Sequence, residues 1–441
     1  MRRLAPFIVL APVAALAQPA PAPAPAAAAA LRTLTLDEAV RTARARHPDI
    51  QSANAQTEQA RARVDEARAP LLPQLTGRAV YQHTEQQNNN SGVVPGSTPG
   101  TISTGANLWQ ASVGVTQLVW DFGQTAGRMH AAEHALSAQD ASGHAALRQV
   151  LLAVRTFYFA ARADKALVQV ARETLQNQLR HLEQVEAFVQ VGTRAQIEAV
   201  SQRTAVASAR LTLIRAENAY ATARSQLNQA MGTPGTTDFD VADDSLSPIA
   251  GEDGTLDAAL AIAYAARPEL RAFSEQRRSE ADIIASTRGQ YWPSVSLYGA
   301  ASEAGDALDN LGWGLVGGVN LTWPLFQGGA TRAQVREAQW AEVAIDAQTE
   351  SLRQSVRVEV ENALLAVRGA KSEIDAAQEA LVNAREQLRL AEGRYQTGAG
   401  SIIELGDAQV AVTQAAAQKV QADFDLATAR AQLLHALGRD S

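Results

Sequence analysis

The sequence predicts a mainly α-helical chain with transmembrane β-strands. A duplicated helix-strand-strand-helix-helix unit assembles as a trimer into a 12-stranded β-barrel continuous with a long α-helical coiled-coil barrel. Three observations predict this. The first is an internal repeat. Thr35-Leu36-Asp37-Glu38-Ala39-Val40 is echoed by Thr255-Leu256-Asp257-Ala258-Ala259-Leu260. Pro48-Asp49-Ile50 returns as Pro268-Glu269-Leu270 and Pro73 as Pro293, each 220 residues on. Gly192 and Gly398, like Gly232 and Gly438, stand 206 apart. The second observation is a switch inside each copy from helical to alternating hydrophobic period and back. The third is a pair of long Pro-free stretches with heptad spacing.

Bulk properties set the frame. The chain has 441 residues, 46% of them hydrophobic but only 5% aromatic, and Ala supplies much of the apolar content. That balance favours long, closely packed helices. A net charge of −7 with no basic run argues against a nucleic-acid partner. The absence of Cys excludes disulfides, thiolate metal sites, a Cys nucleophile and a lipid anchor on an N-terminal Cys.

Residues 1–17 read as a secretory signal, with Arg2-Arg3, an apolar run from Leu4 to Leu16, and Ala15-Leu16-Ala17 as the cleavage site before Gln18. Residues 18–34 form a Pro/Ala-rich linker. The first repeat covers 35–232, a connector 233–254, and the second repeat 255–438. No later apolar run is long enough to cross a membrane as a helix.

Each repeat opens with a helix, Leu36 to about Ala69 and Leu256 to about Arg288, with Thr35 and Thr255 as N-caps. Pro48 and Pro268 break off a short first piece that bends. The period then changes. Leu75, Gly77, Ala79 and Tyr81 alternate with Gln74, Thr76, Arg78 and Gln82, Val80 being the exception. Trp109, Ala111, Val113 and Val115 alternate with Gln110, Ser112, Gly114 and Thr116. In the second copy Val295, Leu297 and Gly299 form one face, and Trp313, Leu315, Gly317, Val319, Leu321 and Trp323 another. These are four strands of about ten residues, long enough to cross a membrane when tilted. Polar loops, Glu85–Ala106 and Gly305–Gly312, join each pair. Trp109, Trp120, Trp292, Trp313 and Trp323 sit at strands or strand ends. A soluble hairpin core accommodates them, but an interfacial aromatic girdle suits the placement better.

The middle helices run from about Thr125 to Val191 and from about Ala330 to Thr397. Ala370, Ile374, Ala377, Leu381, Ala384, Leu388, Ala391 and Tyr395 keep an unbroken 4-3 spacing, which implies left-handed supercoiling. At 1.5 Å per residue, ~67 residues span ~100 Å. Turns at Gly192 and Gly398 lead to last helices ending at Gly232 and Gly438. First and last helices together match the middle one in length, so they stack end to end as one column. Four strands cannot stand open in lipid. Three chains close a barrel of twelve; two chains, giving eight, also satisfy the arithmetic.

Nothing reads as catalytic, and no cofactor or metal is expected. His130 and His134 are i,i+4 but have no third ligand. Asp243-Asp244 and Glu252-Asp253 read as solvated connector charges. Glu404 and Asp407 share a helix face. In a trimer they repeat as rings that favour cations, although acids also suit an ordinary helix start.

The ordered set resembles the TolC-like outer membrane efflux proteins over nearly all of the mature chain. The resemblance rests on the duplicated element order, the Pro-containing first helices, and the turn Pro324-Leu325-Phe326-Gln327-Gly328-Gly329. It also rests on the stretch from Arg394-Tyr395-Gln396-Thr397-Gly398 through Glu404-Leu405-Gly406-Asp407. It implies a trimeric outer-membrane exit duct with its helical tunnel in the periplasm, working with a periplasmic adaptor and an inner-membrane pump or ABC exporter. It implies that Glu404 and Asp407 line the aperture, and that Tyr395 and Glu198 belong to a gate network. The family's arginine two residues after the second Gly is missing, since Gly400 stands there; Arg194 holds the equivalent place after Gly192. A periplasmic coiled-coil adaptor or an extracellular coiled-coil adhesin are the alternatives. Neither needs two Trp-ended strand pairs within a duplicated chain.

Overall fold

The computed structural model describes residues 32–88, 102–235 and 237–440. The signal segment 1–17, the linker as far as Leu31 and the centre of the Glu85–Ala106 loop lie outside the described residues. Arg32–Leu34, assigned to the linker from sequence, are instead a strand, β1.

The element order repeats. In the first copy α1 (Leu36–Arg46) and α2 (Pro48–Arg68) lead through a 3-10 turn to β2 (Gln74–Asn88) and β3 (Ile102–Trp120). Next come α3 (Gln124–Gln190) and α4 (Gln196–Ala230), and then a short strand, β4 (Phe239–Val241). In the second copy α5 (Leu256–Ala266), α6 (Pro268–Gly289), β5 (Ser294–Gly305), β6 (Gly312–Thr322), α7 (Ala330–Gln396) and α8 (Ile402–Ala436) follow. The local chemistry explains the boundaries. Thr35 and Thr255 cap α1 and α5 by accepting the Glu38 and Ala258 N–H groups. Pro48 and Pro268 occupy the first turns of α2 and α6, where a missing N–H costs nothing. β2 and β3, at 15 and 19 residues, exceed the expected ten because both continue into the polar loop.

α3 and α7 are each 67 residues long and unbroken. The 21 residues of α2 and the 35 of α4 form a column beside α3, and α6 and α8 do the same beside α7. The ends meet tightly. A Cβ on Gly232 would lie 2.6 Å from the Cα of His47, and one on Gly438 would lie 3.0 Å from the carbonyl carbon of Ala266. The expected end-to-end stacking is therefore present, with one correction. The short helix α1 is not in the column: the chain bends at His47, and α1 packs beside the seam in one core with Val150, Val154, Tyr158, Leu227 and Met231.

That seam lies at a belt built by the connector. β1 and β4 pair in parallel, Leu34 opposite Val241. Two of the connector acids, Asp244 and Glu252, are not solvated charges. Asp244 accepts from the Leu36 N–H at 2.8 Å and the Tyr158 hydroxyl at 3.0 Å, and Asp243 pairs with Arg162 at 2.6 Å. Glu252 is 3% exposed and held by Arg430 at 3.0 Å and Lys371 at 2.7 Å. Burial alone would raise its pKa. Hydrogen bonds from Arg430, Lys371 and the Ile249 N–H outweigh that and lower it to about 2. These acids tie the connector across helices of both repeats. Asp243 and Asp253, although paired with Arg162 and Lys371, stay largely exposed, as expected of connector charges.

The four long strands form one antiparallel sheet in the order β2-β3-β5-β6. Among the described residues no helix is long and apolar enough to cross a membrane.

Candidate functional site

At the end far from the sheet, both long helices stop at a glycine with positive φ, 77° at Gly192 and 80° at Gly398. The Thr193 N–H reaches back to the Phe188 carbonyl at 3.0 Å, and the Gly400 N–H to that of Arg394 at 2.8 Å. A Cβ at Gly192 or Gly398 would meet nothing within 4 Å, so glycine serves the backbone conformation there rather than packing. α8 then starts on Ser401, whose hydroxyl accepts the Glu404 N–H at 3.1 Å; α4 starts on Ala195 with no side-chain cap.

The two turns meet. Tyr395, buried at the end of α7, donates its hydroxyl to Glu198 Oε2 at 3.0 Å. Arg194 lies over the Tyr395 ring, 4.7 Å from its centroid, and donates to the Tyr395 carbonyl at 3.3 Å. Arg194 and Glu198 approach at 3.9 Å. Phe188 meets the same ring edge-on at 6.3 Å, and Val185, Ala199, Ala391, Leu405 and Ala408 close the core beneath. Thus Tyr395 of the second repeat is brought onto Arg194 and Glu198 of the first, and the three form one cluster bridging the repeats. Burial first, and then the Glu198 carboxylate, push the Tyr395 hydroxyl up to about 12, against the pull of Arg194.

Glu404 and Asp407 lie one turn apart on α8. Glu404 pairs with Arg394 Nε at 3.0 Å, with both side chains well exposed, so the pair contributes little stability. Asp407 is exposed and makes no hydrogen bond or ion pair among the described residues. Arg394 was not singled out from sequence. Its signal was available: a cation in the last turn of a helix, four residues before the Gly. Gly400 also gains a reason. A Cβ there would stand 3.0 Å from the Tyr395 nitrogen and 3.1 Å from the Arg394 carbonyl carbon. An arginine at this position requires the turn to move outward.

The sheet carries the second feature. Register puts Leu75, Val115, Gly299 and Gly317 in one row, and Gly77, Val113, Ala301 and Leu315 in the next. These rows share an apolar face whose side chains are open, Trp313 being 83% and Leu315 78% exposed. The opposite face carries Gln74, Thr76, Arg78, Gln110, Ser112, Thr116, Ser296, Ser302 and Asn320. Trp120, Trp292 and Trp323 gather at the helix end. Phe122 bridges the first two, with centroid distances of 5.9 and 5.3 Å, and the Trp323 indole donates to the Tyr291 carbonyl at 3.1 Å. Trp109, 4.4 Å from Tyr81, and Trp313 stand at the far end. From Trp109 to Trp120 the strand runs ~35 Å at about 3.3 Å per residue, or ~25 Å of height at a tilt of about 45°. That height is the lipid-facing band of a membrane barrel. One irregularity contributes. A bulge between Leu118 and Trp120 pairs Trp120 with Val295. It restores Trp120 to the apolar face, where strict alternation would have put Val119.

His134 binds Glu275 at 2.8 Å, while His130 is exposed. No metal-binding cluster occurs among the described residues.

Comparison with known proteins accords with this architecture. A family model described as "Outer membrane efflux protein" matches residues 39–233 and 259–439, the two repeats. Outer membrane protein TolC of Escherichia coli is 24% identical over 417 residues, covering 91% of this chain and 82% of that protein. Among solved structures, the outer-membrane channel OprN aligns with a TM-score of 0.78 at 19% identity, covering 91% of this chain and 89% of its own. The Campylobacter jejuni CmeC outer membrane channel aligns with a TM-score of 0.79 at 18% identity, covering 91% and 85%.

Proposed function

This chain belongs to the outer membrane efflux protein family, and from that premise we propose that three copies form one passive exit duct through the outer membrane. The observation that carries the proposal is the sheet. Among the described residues it has four strands, two unpaired edges at β2 and β6, and an apolar face bounded by tryptophans. Such edges cannot stand in lipid. Pairing β6 of one copy with β2 of the next, three times over, removes every edge and turns the polar face inward. The helical columns then continue as a tunnel of ~100 Å, at 1.5 Å per residue, into the periplasm.

The tip is the gate in this reading. Three Glu404–Asp407 pairs ring the aperture and favour cations. The Tyr395–Glu198–Arg194 cluster holds the two coils of each chain together, and opening separates them. The chain carries no nucleotide-binding motif, so the energy comes from an inner-membrane pump or ABC exporter, joined through a periplasmic adaptor at the helical tip. Drugs, small toxic compounds or secreted proteins are the cargo class. Membrane fractionation and gel analysis test the assembly. A heat-modifiable trimer in the outer membrane is expected; release as a soluble periplasmic protein sinks the reading in favour of an adaptor.

A further inference from the structure

Among the described residues, the polar face of the sheet between the two tryptophan belts carries one charged side chain, Arg78. Register places it in a row with Ser112, Ser302 and Gly314. The rows on either side contribute Thr76, Gly114, Ala300 and Val316 below, and Val80, Gln110, Ala304 and Gly312 above. Among the described residues no carboxylate shares this face. Glu303, next to Ser302, alternates to the apolar side with Ala111 and Trp313. Arg78 is exposed and has no hydrogen bond or ion pair among the described residues. Its row neighbours are too small to cover it. An unpaired arginine amid serine and glycine contributes nothing to packing, and its desolvation is avoided only by facing water.

We propose that Arg78 is a selectivity residue: three copies form a cationic ring in the barrel lumen that favours anionic solutes, carboxylates and phosphates among them. The inference rests on the trimeric duct reading. Twelve tilted strands about 4.8 Å apart enclose a lumen roughly 24 Å across. A side chain reaching ~6 Å inward brings each guanidinium within a Debye length of the axis, ~8–10 Å near physiological salt. The acids at the outer loop, Asp306 and Asp309, lie at least four residues beyond Ser302, or more than ~13 Å along the strand. They are screened from the ring. The duct therefore holds two charge filters of opposite sign in series, acidic at the tip and basic in the barrel. With the tip closed, the acids dominate; once it is open or neutralised, Arg78 decides.

Reversal potentials of the purified full chain in planar bilayers under a KCl gradient test this. The background is Glu404→Ala with Asp407→Ala, which removes the tip filter. In that background Arg78→Gln is expected to lower the chloride-to-potassium permeability ratio about three- to five-fold near 0.1 M salt, with the difference shrinking at 1 M, where the Debye length is ~3 Å. Arg78→Lys should retain the ratio and Arg78→Glu should invert it. Channels of normal conductance whose ratio is the same with Arg, Gln and Glu at position 78 overturn the proposal and leave the duct standing. A chain that never forms channels overturns the duct reading itself.

Discussion

The Tyr395 hydroxyl of the second repeat donates to the Glu198 carboxylate of the first at 3.0 Å. The bond joins two helical hairpins whose turns stand 206 residues apart. It is part-buried beside the Arg194 guanidinium, so removing one partner leaves the other poorly satisfied.

Tyr395→Phe keeps the ring and its packing but deletes this bond. The expected cost to tip closure is about 1 kcal/mol, seen as a several-fold higher open probability in planar bilayers without loss of trimer. Unchanged gating would remove Tyr395 from the latch.

Burial of Tyr395, together with this bond, sets a pH window. The Tyr395 hydroxyl is raised from 10 to about 12, so the folded tip prefers the protonated phenol. Its contribution is complete below pH 10 and is lost as pH rises toward 12. A difference titration of phenolate absorbance, native minus Tyr395→Phe, should show one late-titrating tyrosine. A midpoint near 10 would contradict it.

Glu252 gives the opposite sign. Its pKa is lowered from 4.5 to about 2, so its stabilisation is full above pH 4.5 and is lost as pH falls through 2. Glu252→Gln leaves Arg430 and Lys371 without their shared anion. It should cost about 3 kcal/mol at neutral pH and flatten the acid limb of a denaturation series. An unaltered acid limb would assign that limb to other carboxylates.

Glu404→Ala with Asp407→Ala should weaken block of the duct by multivalent cations. A block of unchanged depth would place these acids outside the lumen.

Two glycine substitutions separate conformation from packing. Gly192→Ala meets open space and should cost only the left-handed backbone, about 1–2 kcal/mol. Gly232→Ala meets His47 at 2.6 Å and should cost about 1–3 kcal/mol more. Equal denaturation midpoints for the two variants would refute the seam contact.

The helices were legible in the sequence almost to the residue, because heptad spacing, Thr caps and terminal glycines all mark the same boundaries. The strand faces were equally plain, since Trp313 to Leu321 alternates with only Val316 out of place. What stayed hidden is what depends on distant partners. β1 and β4 are three residues each, and their pairing spans the whole first repeat. Glu252 reads as a loop acid until Arg430 is folded against it. At the tip Glu198 and Tyr395 were legible through resemblance, but Arg394 was not, because a cation near a helix end is ordinary until an acid is found beside it.

A column made of two helices carries compression well and torque poorly, since no backbone hydrogen bond crosses the joint among the described residues. The two joints are not alike. At the α6–α8 joint, Arg267 acts as a rivet, donating to the Ala436 carbonyl at 2.9 Å while binding Glu359 at 2.6 Å. The α2–α4 joint, at His47 and Gly232, has no such rivet among the described residues. One spar of each chain is therefore cross-tied at its joint by a buried side chain, while the other relies there on close packing of Gly232 against His47. The unbroken α3 and α7, and not the jointed columns, are the continuous backbone path from the tip to the strands.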